Sequence, residues 1–359
     1  IGTLYSTCPQ TGKALDPSSL RCAVPPSDIR DHFGRPLKDL RISVTDRCNF
    51  RCRYCMPRER FRNNHSFLPK KELLSFEDIE KIVRSCIPLG LEKVRITGGE
   101  PLLRNDLPKL VKMLSNLNLD VALTTNASLL KKKARALRLA GLNRVTVSLD
   151  ALDPELHSKM SDSNIPVESV LEGIEEAINV GLSPVKINCV IQKGINEEEV
   201  SKLVNYFRYT DITVRFIEYM DVGRTNGWQL AHVVPSERIL QHLQKEFDLI
   251  PIDRMKNSDV AERWMHRDGS GEIGFISSVT SPFCGDCVRA RLSADGKLVT
   301  CLFASGGNDI RALINSGATD EDLQREISSI WHHREDRYSE IRSEDTMTLP
   351  RIEMSYIGG

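Results

Sequence analysis

LRISVTDRCNFRCRYCMP, residues 40–57, joins two signals in one short stretch. Its first half alternates apolar and polar side chains as a strand does. Its second half packs Cys48, Cys52 and Cys55 into a single loop at the strand's end. A second triad, Cys284, Cys287 and Cys301, lies in CGDCVRARLSADGKLVTC. A four-iron cluster normally takes four thiolates, so three in a compact group leave one iron free for a ligand that is not protein. Open coordination is where metal chemistry happens. Structural zinc is the plainer alternative, but His32 and His65, the nearest candidates for a fourth ligand, lie at no spacing typical of zinc modules. For the rear triad, zinc or a redox pair stays open on spacing alone.

From residue 38 onward, β-branched runs alternate with amphipathic stretches, the pattern of a βα series with a parallel sheet. The strands expected are 40–44, 93–97, 120–125, 144–150, 185–191 and 212–218. Helices are expected near 75–89, 105–116, 128–140, 167–180 and 196–208. Ser75 with Asp78 reads as an N-terminal cap, and Gly90 and Gly181 as C-terminal caps. Six units are too few for the eight-fold barrel, so an open three-quarter barrel of the α/β class follows. The site of such a barrel lies at the carboxyl ends of its strands. The first triad, Gly-Gly-Glu-Pro (98–101), Thr124 with Asn126, and Ser148 with Asp150 all fall there.

Residues 1–36, rich in Pro and Ser, read as a mobile arm, and 37–220 as the barrel. Residues 221–359, with a helix near 236–247 and a strand at 272–279, read as a C-terminal layer that covers the open side and carries the second triad. The chain starts at Ile1, as expected of a processed or trimmed product. Its 49 basic and 49 acidic residues cancel, which argues against a nucleic-acid coat or a membrane-surface protein. No apolar run approaches the roughly 20 residues that span a bilayer. Thiols kept as metal ligands point to a reducing compartment. Of the remaining cysteines, Cys86 and Cys189 read as buried and inert, while Cys8 and Cys22 have no assigned role. Met255, Trp264 and Met265 read as packing residues of the C-terminal layer.

With an aromatic residue just before the last cysteine of the first triad and GGEP at the next strand end, the chain resembles the radical S-adenosylmethionine enzymes. Within them it is similar to the GTP 3′,8-cyclase family of molybdenum cofactor biosynthesis. That match rests on EKVRITGGEPLLR, LTTNA, VSLDALD, VKINCVI, RFIEYM, FCGDCVRARLSADGKLVTCLF and the terminal YIGG. The resemblance implies two [4Fe-4S] clusters, the front one chelating S-adenosylmethionine and the rear one binding the guanine of GTP. It places Tyr54, Gly99, Glu100, Ser148 and Met220 around S-adenosylmethionine. It places Arg41, Arg95, Thr124, Lys186, Arg289 and Arg291 around GTP. Gly358 and Gly359, with Arg41, are assigned to the radical step. By the same resemblance, a 5′-deoxyadenosyl radical would take the ribose 3′ hydrogen, and the carbon radical would close on purine C8.

Arg41, Arg95 and Lys186 interrupt apolar strand patterns, where an unpaired cation is costly and needs an anion. An internal ion pair with Asp46, Glu100 or Asp150 is the alternative to a bound triphosphate. Val288 and Ala290 stand where the family usually has Asn and Leu, and SDSNIPV (161–167) replaces a stretch that is commonly basic. The resemblance further implies cyclic pyranopterin monophosphate synthase as the next enzyme and an unidentified electron donor, and leaves a homodimer open. It implies the mitochondrial matrix for a eukaryotic chain, toward which the front arm leans, and the cytoplasm for a bacterial one. A two-cluster enzyme that modifies a peptide is the nearest rival, and an electron carrier or zinc-stabilised binding protein the rival of another class.

Overall fold

The computed structural model describes residues 29–62, 64–254, 259–343 and 349–358. Most of the expected front arm, Cys8, Cys22, Met255 and Gly359 therefore lie outside the described residues. Six strands, β1 (Asp39–Ser43), β2 (Lys93–Thr97), β3 (Asp120–Thr125), β4 (Arg144–Ser148), β5 (Lys186–Ile191) and β6 (Thr213–Glu218), pair in parallel in chain order. Between them run α1 (Phe76–Cys86), α2 (Leu107–Ser115), α3 (Leu130–Leu139), α4 (Pro154–Ser161), α5 (Val167–Asn179) and α6 (Glu199–Phe207). The Ser75 hydroxyl caps α1 by accepting the Asp78 amide at 3.0 Å. Gly90 and Gly181 take positive φ after α1 and α5, as expected of C-terminal caps. Helix α4 was not expected; Asp153 as N-cap, with Pro154 in the first turn, is the local signal that starts it.

The strands bury one face completely and half-bury the other. In β5, Ile187, Cys189 and Ile191 are fully buried, whereas Lys186, Asn188 and Val190 are half-buried. The core therefore lies in the helix layer, where Ile42, Ile96, Leu123, Val147, Ile187 and Phe216 belong to the same cluster as Ile82, Leu110 and Leu203. Each such side chain contributes roughly 1.5–3 kcal/mol by burial. The opposite face of each strand is free to carry polar chemistry.

Six parallel strands leave two open edges, whose amides and carbonyls need partners. The C-terminal residues supply them within the same sheet. β10 (Arg289–Leu292) pairs in parallel with β1, and β9 (Glu272–Ile276) with β6. Beyond these, β11 (Lys297–Val299) with β12 (Asn308–Asp309), and β8 (Glu262–His266) with β7 (Leu249–Ile252), continue antiparallel. The result is one open twelve-stranded sheet. The cover therefore also extends the barrel wall on both sides. Helices α7 (Ser236–Leu243), α8 (Ile310–Asn315) and α9 (Asp320–His332) complete it, with α9 packed on α1.

The end of the expected arm is folded. Arg30 and Pro36 form a β-bridge, and Asp31 and Arg35 are buried as an ion pair. A polar composition concealed this, because the polar groups satisfy one another inside the protein.

Candidate active site

The loop after β1 is shaped by the glycines after β2. The Gly99 amide donates to the Thr45 carbonyl at 2.7 Å, and the Glu100 amide to the Arg47 carbonyl at 2.8 Å. A Cβ on Gly99 would stand 2.3 Å from the Arg47 carbonyl oxygen, so only glycine permits this approach. Cys52 and Cys55 share a single turn, in which the Cys55 and Met56 amides donate to the Cys52 carbonyl at 2.9 and 2.8 Å. The expectedly foreign segment 161–167 also touches this loop: Ser161 accepts the Arg51 amide at 2.8 Å, and Asp162 pairs with Arg58.

Burial pushes the Cys48 thiol up to about 12, with Glu100 adding to the effect. Burial drives Cys52 and Cys55 upward as well. Three half-buried thiols that resist ionisation without a metal cation are a donor set suited to an iron cluster. Among the described residues no three His, Cys, Asp or Glu side chains converge on a single ion. A four-iron cluster asks for something wider, since each thiolate sits on a different iron.

One cavity of about 320 Å³ opens at this end of the barrel. Cys48, Cys52 and Cys55 line it, as do Tyr54, Gly99, Glu100, Ser148 and Met220. The Tyr54 hydroxyl donates to Asp150 at 2.7 Å, whose other oxygen accepts the Val190 amide at 2.8 Å. Burial raises Asp150 to about 6 despite both bonds. Glu100 accepts from the Leu102 and Asn126 amides and the Thr125 hydroxyl, and burial raises it to about 7.

Cys284, Cys287 and Cys301 line the same cavity. Burial works against ionisation of Cys287, but Arg289 and Arg334 outweigh it and bring the thiol down to about 6. Burial, with Asp336, raises Cys301 to about 12. Arg41, Arg95, Thr124, Arg289 and Arg291 also face the cavity, whereas Lys186 is not among its lining residues. It sits at the start of β5, in register with Thr146 and Thr213, and burial together with Arg215 lowers it to about 8.

Asp46, Glu100 and Asp150 do not pair with these cations. Asp46 accepts the Leu68 amide at 2.7 Å, and the other two are engaged as described. Among the described residues Arg95 donates only to the Thr124 and Thr146 hydroxyls, at 3.1 and 3.0 Å. The Arg41 Nε is buried without an acceptor among the described residues, and burial, then Arg291 and Arg289, push its guanidinium downward. A guanidinium keeps its proton at these pH values, so the crowding is an energetic cost that a bound anion relieves. Arg215 was not singled out in the sequence, yet it lines the cavity and its Nε is buried without an acceptor. The signal was present, a cation inside the apolar run of β6, as for Arg41 in β1.

The chain end enters the same space. Met354 and Ser355 line the cavity, and Gly358 is buried with φ +76°. A Cβ there would stand 2.2 Å from the Thr97 methyl carbon, and the Gly358 carbonyl accepts from Arg291.

An open parallel barrel with a three-thiol loop after its first strand, braced by a Gly-Gly-Glu-Pro turn after its second, defines the radical S-adenosylmethionine class. The family model of the Radical SAM superfamily matches residues 42–207, and that of Molybdenum Cofactor Synthesis C matches residues 212–340. A GTP 3′,8-cyclase of Acidothermus cellulolyticus is 49% identical over 358 residues, 92% of this chain and 99% of that protein. One of Staphylococcus carnosus is 47% identical over 337 residues, with the same coverage. This chain belongs to the GTP 3′,8-cyclase family.

Among solved structures, Streptococcus suis SuiB bound to S-adenosylmethionine matches with a TM-score of 0.59 at 18% identity, covering 86% of this chain and 68% of that one. That likeness is one of fold. The relatives named are bacterial and lend no support to the mitochondrial reading. Among the described residues no helix is long and apolar enough to cross a membrane.

Proposed function

We propose that this enzyme converts GTP to 3′,8-cyclo-7,8-dihydroguanosine 5′-triphosphate, the first step of molybdenum cofactor biosynthesis. The observation that carries the reading is the set of five arginines, Arg41, Arg95, Arg215, Arg289 and Arg291, lining one cavity without a carboxylate partner among the described residues. A triphosphate supplies the missing negative charge, and planar guanidiniums suit its oxygens. Cys48, Cys52 and Cys55 would hold the front cluster, and Tyr54, Gly99, Glu100, Ser148 and Met220 would surround S-adenosylmethionine. When bound, that pair supplies one electron to the sulfonium and a carbon-centred radical able to take a hydrogen atom.

The chain's own residues do the rest by positioning. The arginines fix the triphosphate and so aim the ribose, and Thr124 adds a hydroxyl beside Arg95. Met354 and Ser355, in the helical turn before Gly358, line the cavity and keep water from the reacting carbon. Cys284, Cys287 and Cys301 would hold a second [4Fe-4S] cluster facing the purine. Residues 37–220 and 221–359 would then divide the labour between radical generation and substrate. We expect a cytoplasmic setting, an external one-electron donor, and delivery of the product to cyclic pyranopterin monophosphate synthase.

The test is anaerobic: reconstitute with iron and sulfide, reduce, and supply S-adenosylmethionine with GTP deuterated at the ribose 3′ position. Deuterium in 5′-deoxyadenosine, read by mass spectrometry, is the expected result. Unlabelled 5′-deoxyadenosine would leave the front site working and rule GTP out as the hydrogen donor.

A further inference from the structure

The rear thiols come from two stretches of backbone: Cys284 and Cys287 bracket one turn, in which the Cys287 amide donates to the Cys284 carbonyl at 3.2 Å, and Cys301 lies two residues after β11. Both stretches are held by guanidiniums. Arg35 donates to the Cys284 carbonyl at 2.8 Å and to the Asp336 carbonyl at 2.9 Å. Arg334 donates to the Cys287 carbonyl at 2.8 Å and to the carbonyl of Thr300, next to Cys301, at 3.2 Å. Both guanidiniums rest on one carboxylate oxygen of Asp31, at 2.6 and 3.1 Å. The other oxygen accepts the Phe33 and Arg35 amides at 3.0 and 2.9 Å, so Asp31 is fully engaged.

The side chains of Asp31, Arg35 and Arg334 are 0%, 3% and 1% exposed. Trp331 closes the unit, donating to the Arg35 carbonyl at 2.9 Å while the Arg334 guanidinium lies over its ring at 4.6 Å. Two buried cations on Asp31, each also donating to backbone beside the cysteines and Arg334 reaching the Asp336 carboxylate at 3.5 Å, form a rigid frame whose failure would leave uncompensated charge inside the protein.

We infer that Asp31, Arg35 and Arg334 are the positioning residues of the rear triad. They fix the separation of its two backbone stretches and present the thiols as a ready-made ligand set. The inference rests on the reading of that triad as a cluster site. It assigns a purpose to the Asp31–Arg35 turn, which carries no residue of the cavity wall.

In a chain with Cys48→Ala, Cys52→Ala and Cys55→Ala, only the rear triad is left to hold a cluster. Anaerobic reconstitution should give it iron and sulfide with a four-iron Mössbauer signature. Absence of iron there would overturn the reading of the triad, and with it the task given to the frame. With iron in place, Asp31→Asn and Arg35→Lys should each speed its loss to a chelator about 10–100-fold, the scale of outer-sphere effects on metal sites. In the complementary chain lacking Cys284, Cys287 and Cys301, the same substitutions should leave the loss of front iron unchanged. Equal loss with and without the frame, or equal acceleration in both backgrounds, would sink the proposal. Arg334→Lys serves if Asp31→Asn does not fold.

Discussion

Lys186 is held at about 8 by burial and by Arg215, against 10.5 for an ordinary lysine. A depressed folded value means that the unfolded chain binds more protons between these limits. Stability of the protein without ligands should therefore rise as pH climbs from about 8 toward 10.5, and fall back as pH drops through 8. Urea midpoints across that range should show the slope, and Lys186→Met should flatten it. A polyanion nearby acts in the opposite direction, raising the lysine's affinity for its proton. Binding of GTP near pH 8 should then take up protons, measured as a dependence of calorimetric heat on buffer ionisation enthalpy. A buffer-independent heat would put Lys186 outside the field of the triphosphate.

Among the elements, the C-terminal turn Met354–Ile357 and the residue after it are the most exacting. Tyr356 reaches Asp295 on one side, and Glu353 accepts from the Arg224 amide and the Thr225 hydroxyl on the other. Gly358 is thus delivered against Thr97 with no room for a side chain. Gly358→Ala should lower kcat at least tenfold while changing GTP affinity little. Thr97→Ser, which removes the obstructing methyl, should recover part of the loss, the rest reflecting the strain, about 1–3 kcal/mol, of an L-residue held at φ 76° and ψ 127°. Steady-state kinetics and equilibrium binding on the same variants decide it. The six barrel strands and the thiols at their ends were legible because period-two burial and cysteine spacing are local signals. Helix α4 was overlooked although Asp153 and Pro154 announce it, and β10 lay hidden in a run read for its cysteines, its arginines, and Val288 and Ala290. The pairing of β10 with β1 could not be read at all, since it is set by edge amides and not by any pattern within LRISV. Arg215 escaped for want of applying to β6 the rule used on β1, β2 and β5. The Asp31 frame escaped because buried polar residues look like a loop until their partners, far along the chain, are known.

At the scale of the molecule, the sheet makes its two halves interdependent. Without β9 and β10, the facing edges of β6 and β1 would be exposed as parallel strands with unsatisfied amides. A fragment ending at residue 220 should aggregate, whereas the full chain should unfold in one transition. Size-exclusion chromatography and calorimetry test this, and a monomeric fragment with its own cooperative melt would show that the barrel closes its edges by other means. The span between Arg35 and Cys284 is 249 residues. At synthesis rates of about 5–20 residues per second, that distance corresponds to about 12–50 s. The front thiols emerge within moments of one another, but the rear set must await nearly the whole chain, because Arg334 follows later still. On the proposed assignment of the two triads, the front ligand set is therefore synthesised long before the rear one can be assembled.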